Sequence, residues 1–213
     1  MPTLNNFKYE TKRKNLFLRV AYGHFATTNC HSNYYIDVVA QKTRVSEAKA
    51  VAQELCSYFR HSTVVDTILC LDGTEVIGAY LAEELSKADF ANMNAHKSIY
   101  VVTPETTNTN QLLFRDNIVP AISGKNVLIL AVSVASGKTV EAAIDAVKYY
   151  GGSVSCVSAI FSTASECRGY TVYSVFNPKD LPDYNSYPAH ECPFCKAGKK
   201  IDALVNCHGF SKI

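Results

Sequence analysis

The sequence predicts an α/β fold with a mainly parallel sheet, helices on both faces and a short cysteine-rich tail. Compact apolar runs of strand length alternate with segments whose apolar residues recur at helical spacing, which is the pattern of a parallel sheet. The chain has 213 residues, 47% hydrophobic and 19% charged. That is ordinary globular composition, long enough to bury a core without staples. At roughly 150 residues per domain, it is one large domain or one domain with a small appendage.

Residues 1–43 are polar and aromatic, with a short strand over Tyr34-Tyr35-Ile36-Asp37-Val38-Val39. Ser46 reads as an N-cap, and Ala48, Val51, Ala52, Leu55 and Phe59 follow it at helical spacing. The run Val64 to Leu71 is a strand. It meets the turn signal Asp72-Gly73-Thr74, and a helix follows with Val76, Ile77, Tyr80, Leu81 and Leu85 on one side. Ile99 to Thr103 is a strand, and 104–125 reads as a long polar connection of the kind that forms a mobile lid or binding loop. Val127 to Val132 is the most strand-like run. The next helix presents Val140, Ala143, Ile144, Val147 and Tyr150 inward and stops at Gly151-Gly152. Val154 to Phe161 and Thr171 to Phe176 complete the set of strands, and no internal repeat is visible.

Several function classes are excluded. Lys plus Arg is 21 and Asp plus Glu is 19, so the net charge of +2 is too balanced for a nucleic-acid binder working by counterion release. No window reaches the 18 apolar residues of a membrane span, and the N-terminus lacks the apolar stretch of a signal peptide. Several of the eight cysteines sit inside apolar runs, as Cys70 and Cys156 do, and read as small buried hydrophobes. The expected compartment is a reducing cytoplasm, with free or metal-bound thiols.

In a parallel sheet, ligands bind where strands lead into helices. That directs attention to Asp72, Gly73, Thr74 and Glu75, and to Ala135, Ser136, Gly137, Lys138 and Thr139. Small residues in the second loop leave backbone N–H groups open at a helix N-terminus, and the helix dipole favours an anion there. Ser136 and Thr139 add hydroxyl donors, so the natural ligand is a phosphate group. A Walker A loop is excluded, because that pattern needs glycine where Val132 stands.

Three segments resemble the type I phosphoribosyltransferases, and among them the orotate phosphoribosyltransferases most. Residues 23–37, from Gly23-His24-Phe25 through His31-Ser32-Asn33-Tyr34-Tyr35, are similar to the N-terminal hood that packs near the base. Residues 68–78 are similar to the strand and loop that receive pyrophosphate. Residues 127–139, Val-Leu-Ile-Leu-Ala-Val-Ser-Val-Ala-Ser-Gly-Lys-Thr, are similar to the phosphoribosyl pyrophosphate (PRPP) signature. The order and spacing match over roughly residues 15–177.

The resemblance implies a Rossmann-like fold over 1–177, with the hood formed largely by 1–43 and a linker and tail over 178–213. It implies transfer of phosphoribose from PRPP to a nucleobase, in pyrimidine nucleotide metabolism, with Mg²⁺. The partner is a small phosphosugar or nucleotide, and a homodimer is expected.

The departures from the family pattern define a second reading. The signature carries two adjacent acidic residues that hold the ribose hydroxyls, and here Ala131 and Val132 stand in their place. Two lost charged hydrogen bonds cost about 3–6 kcal/mol, on the order of 10²- to 10⁴-fold in rate or affinity. The basic residues of the family's mobile loop are also out of register: His96 and Lys97 precede the strand, and Arg115 and Lys125 lie far along the loop. The alternative is a non-catalytic relative that binds a nucleotide or sugar phosphate. The sequence names no catalytic residue.

After a proline-marked linker over 178–190 comes His190-Glu191-Cys192-Pro193-Phe194-Cys195, and later Cys207-His208. A Cys-Pro-x-Cys turn brings two thiolates within about 4 Å, as tetrahedral Zn²⁺ requires. The expected ligands are Cys192, Cys195 and Cys207, with His208 or His190 as the fourth. A glutaredoxin-type redox pair needs a strand before it and a helix after it, and this pair sits in a tail. His24 and His31 lie in the hood as candidates to touch a ligand, and Tyr34, Tyr35, Tyr149 and Tyr150 as candidates to stack on a base.

Overall fold

A computed structural model describes residues 6–10, 16–88, 91–95, 97–109 and 111–213. His96 lies outside the described residues. In chain order the elements are β1 (Asn6–Glu10), β2 (Phe17–Ala26), β3 (His31–Asp37), α1 (Val39–Thr43), α2 (Val45–Phe59), β4 (Thr67–Cys70), α3 (Glu75–Ser86) and β5 (Tyr100–Val102). Then come β6 (Glu105–Thr106), β7 (Leu112–Leu113), β8 (Asn126–Val134), α4 (Lys138–Tyr149), β9 (Ser153–Ser162), β10 (Glu166–Cys167) and β11 (Tyr170–Phe176). The C-terminal part adds β12 (Ser186–Tyr187), α5 (Pro193–Lys196), β13 (Ala203–Asn206) and β14 (Gly209–Lys212).

The central sheet has the order β10-β11-β9-β8-β4-β5. It is parallel throughout except for the antiparallel edge pair β10/β11. Its middle strand explains why both faces carry helices. Leu128, Leu130 and Val132 of β8 point into one core with Val51, Leu55 and Phe59 of α2 and Ile77, Leu81 and Leu85 of α3. Val127, Ile129 and Ala131 point the other way, against Val140, Ala143, Ile144 and Val147 of α4. Alternation of the apolar run 127–132 between two cores is what a doubly covered parallel sheet demands.

A second sheet forms the hood, in the order β12-β3-β2-β13-β14, with β1 also on β2. Strand β2 pairs antiparallel with β3 and parallel with β13, through Ala203 opposite Phe25 and Leu204 opposite Ala26. Both ends of the chain therefore build the hood. Proline-marked residues 178–190, expected as an extended linker, begin and end in 3₁₀ turns (Pro178–Asp180 and Ala189–Glu191), and between these β12 bonds to the edge of β3.

Two local expectations are corrected. Helix α2 starts after Arg44, whose extended conformation breaks it from α1, so Ser46 lies inside the first turn rather than capping it. The stretch 104–125 is not one open polar loop. Its first half folds into the β6/β7 hairpin, closed by a bidentate Arg115–Glu105 pair, and Phe114, Ala121 and Ile122, which follow the hairpin, are buried in the α4-side core. Among the described residues, no helix is long and apolar enough to cross a membrane.

Candidate functional site

The carboxyl ends of β4 and β8 open beneath the hood into a cleft of ≈ 280 Å³. Its walls come from three places: hood residues 27–38, the β8–α4 junction at 132–140, and residues 205–207 of the C-terminal hairpin. Phe161 and Tyr184 close its back. Tyr34, buried in the hood, stacks on Tyr184 with ring centroids 6.3 Å apart.

All five residues of the predicted phosphate loop, Ala135 to Thr139, line the cleft. Gly137 is the N-cap of α4 at φ 78°, a left-handed conformation that glycine adopts without strain. Glycine has no side chain with which to cap the first turn, so the helix presents its N–H groups and the positive end of its dipole to the cleft. Lys138 Nζ reaches across the mouth and donates to Asn29 Oδ1 of the hood at 3.1 Å.

The 72–75 loop divides. Asp72 (φ 57°) and Gly73 (φ 82°) form a left-handed turn, and the buried Thr74 hydroxyl holds it by donating to the carbonyls of Leu71 and Leu130. Asp72 lines the cleft. Glu75 turns to the neighbouring strand end and accepts from the Thr103 hydroxyl at 3.1 Å. Burial pushes the Asp72 carboxyl up, against the opposing pull of Lys42 and of a hydrogen bond from the Cys207 thiol. Lys42 was not legible as a site residue. Its buried ammonium donates to the carbonyls of Asp72 at 2.7 Å and Cys207 at 2.8 Å, fastening the tail to this loop.

Ala131 and Val132 sit inside β8, buried on opposite faces. Val132 lines the cleft and presents hydrocarbon to it, while Ala131 packs toward α4. Arg115 is engaged with Glu105, Lys97 with Asp66, and Lys125 lies over the Tyr100 ring, all away from the cleft lining.

The tail cysteines separate as well. Cys192 and Cys195 stand side by side at the start of α5, against His24 of β2 and His31 of β3, and the four ligand atoms lie within 4.8 Å of one another. Cys207 is instead at the cleft beside Asp72, and His208 follows it in the hairpin turn. His190 is exposed and pairs with Glu191. The sequence placed His24 and His31 in the hood, but their approach to the tail depends on β13 docking beside β2, which no local pattern encodes. Burial and the neighbouring His24 push the His31 imidazole down. The one-turn α5 after Cys192 lacks the βαβ setting of a redox pair. Tyr35 lies in the hood wall with its phenol pushed up to about 12 by burial, whereas Tyr149 is fully at the surface.

No known protein-family profile matches the chain, and no curated protein sequence matches it. Solved structures do. Orotate phosphoribosyltransferase of Mycobacterium tuberculosis superposes with a TM-score of 0.53 at 15% identity, over 76% of this chain and 91% of that one. The same enzyme in complex with PRPP superposes with a TM-score of 0.52 at 14% identity, over 70% and 83%. Adenine phosphoribosyltransferase of Leishmania tarentolae gives 0.51 at 14% identity, over 83% and 97%. The parallel sheet, the hood above its carboxyl edge and these superpositions agree: the chain has the type I phosphoribosyltransferase fold.

Proposed function

We propose that the chain is a phosphoribosyltransferase-like protein whose 135–139 loop seats the 5′-phosphate of a phosphoribosyl compound, with the rest of the ligand under the hood. The carrying observation is the N-terminus of α4 opening, with Ser136 and Thr139 beside it, into a cleft roofed by the hood. A phosphate there meets backbone N–H groups, two hydroxyls and the Lys138 ammonium. The matched Mycobacterium tuberculosis enzyme was solved with PRPP, which supports the same ligand class here.

For that ligand, binding without transfer is the better-supported reading. The Val132 and Ala131 side chains accept no hydrogen bond from a ribose and offer no oxygen to a developing oxocarbenium charge. Asp72 favours the second reading, transfer from PRPP to a nucleobase, because it is the one carboxylate among the cleft-lining residues. The lining does not make a protein cage for Mg²⁺. One carboxylate with the Lys42 ammonium beside it leaves a divalent cation to be held by the phosphates of its ligand. Pairing of two copies belongs to the same family-based reading, and light scattering measures it.

Calorimetry with PRPP and with nucleoside monophosphates, with and without Mg²⁺, tests the proposal. Binding that Lys138→Ala weakens and Ser136→Asp abolishes supports it. No heat from any 5′-phosphorylated ribose compound overturns it. Pyrophosphate release in the presence of a base panel at high protein concentration establishes transfer, and its absence together with binding establishes the non-catalytic reading.

A further inference from the structure

We propose that His24 Nε2, His31 Nδ1, Cys192 Sγ and Cys195 Sγ are the four ligands of a closed, structural Zn²⁺ site that clips the C-terminal tail to the hood. The donor set and the geometry both support it. Two thiolates and two neutral imidazoles balance the charge of the ion and suit its preference for nitrogen and sulfur. With bonds of about 2.3 Å to sulfur and about 2.05 Å to nitrogen, a tetrahedron has S···N edges of about 3.6 Å and an N···N edge of about 3.3 Å. Here His24 Nε2 lies 3.5 Å from Cys192 Sγ and 3.6 Å from Cys195 Sγ, His31 Nδ1 lies 3.3 Å from Cys195 Sγ, and the two nitrogens are 3.0 Å apart. These four edges fall close to the tetrahedral values, and all four ligand atoms lie within 4.8 Å of one another.

The surroundings prepare the ligands. His24 Nδ1 faces the carbonyl oxygens of Lys199 and Lys200 at 3.0 and 3.1 Å. Two acceptors there fix the proton on Nδ1 and leave the Nε2 lone pair directed at the thiols, which is how metal-binding histidines are usually oriented. Phe194, between the two cysteines, lies against the His24 ring at 5.2 Å, and Lys199 Nζ sits over that phenyl ring at 4.8 Å. His24 and Cys192 are fully buried. All four positions are protein atoms, so no coordination position is left for substrate.

A two-iron cluster with the same residue types would hold the imidazoles on one iron and the thiolates on the other. The contact of His24 Nε2 with both sulfurs argues for a single ion. The pair of strands β2/β3 and the segment around α5 are separated by 168 residues between His24 and Cys192. The ion thus reinforces bonds that already join these parts, such as the Asp202 carboxylate accepting from the His24 backbone N–H and β13 pairing with β2.

Metal analysis of tag-free protein purified without added metal tests the site. About one zinc per chain is expected, and Cys195→Ser or His31→Gln lowers it to less than about 0.2. Cys207→Ser and His208→Gln keep the full equivalent. Protein stripped with a chelator and titrated with Co²⁺ gives the intense visible bands of a tetrahedral ion and a thiolate charge-transfer band. This reading uses the natural sequence and so does not depend on the variants folding. Less than about 0.2 equivalents of zinc together with no such Co²⁺ spectrum overturns the proposal, as does retention of zinc in a Cys192→Ser/Cys195→Ser double variant. None of these readouts involves a phosphorylated ligand, so failure here is separate from failure of the cleft reading.

Discussion

Arg19 of β2 and Glu47 of α2 meet in a two-pronged ion pair, at 2.6 and 2.7 Å, across the boundary between hood and central domain. The Arg19 guanidinium holds the Glu47 carboxyl below its unfolded value of 4.5. A depressed carboxyl stabilises the fold above the unfolded value and loses that contribution as pH falls through the folded one. Glu47→Gln replaces a charged bond by a neutral one and is expected to cost about 1 kcal/mol at neutral pH. Chemical denaturation across a pH series checks it: the gap between wild type and variant closes in acid, and a gap that persists there refutes the assignment. Lys42 works at the same scale. Lys42→Met strands two carbonyls at the cleft and is expected to cost about 2–4 kcal/mol, measured as a lower denaturation midpoint.

At the scale of elements, α3 packs on β4 and β5 through Gly78. A methyl group there would meet Cys70 Sγ and lie 3.2 Å from Val101 Cγ1, so Gly78→Ala is expected to destabilise by about 1–3 kcal/mol despite its better helix propensity. Thermal unfolding reads the sign, and a stabilised variant would contradict the packing. The β6/β7 hairpin predicts the opposite behaviour. Its Arg115–Glu105 pair is exposed, so Arg115→Ala is expected to leave the global midpoint unchanged and to speed amide exchange only in the hairpin. Elements with strong period were legible in sequence. The α2 and α4 faces and the β8 run follow directly from apolar spacing, because burial on one or two faces writes itself into the pattern. The 104–125 stretch was not legible, since Phe114, Ala121 and Ile122 are spaced too irregularly to announce that they are core residues.

For the molecule as a whole, the hood needs both termini. The resemblance singled out residues 23–37 and 135–139, and residues of both segments line the cleft. It could not show that Val205, Asn206 and Cys207 complete the cleft wall, or that His24 and His31 face the tail cysteines. Those meetings follow from the parallel pairing of β13 with β2, a contact between residues far apart in sequence. Removal of residues 199–213 is therefore expected to unpair the edge of β2 and open the cleft, with loss of phosphosugar binding in calorimetry while the central sheet keeps its circular dichroism.

The parallel register of Ala203 with Phe25 also sets a timetable for biosynthesis. Central-sheet strands can assemble while the ribosome is still translating. The roof of the cleft must wait, because β13 is translated long after the strands it joins. A nascent chain that stops short of β13 thus carries a finished floor with no ceiling, and acquires its ligand pocket only once that strand emerges.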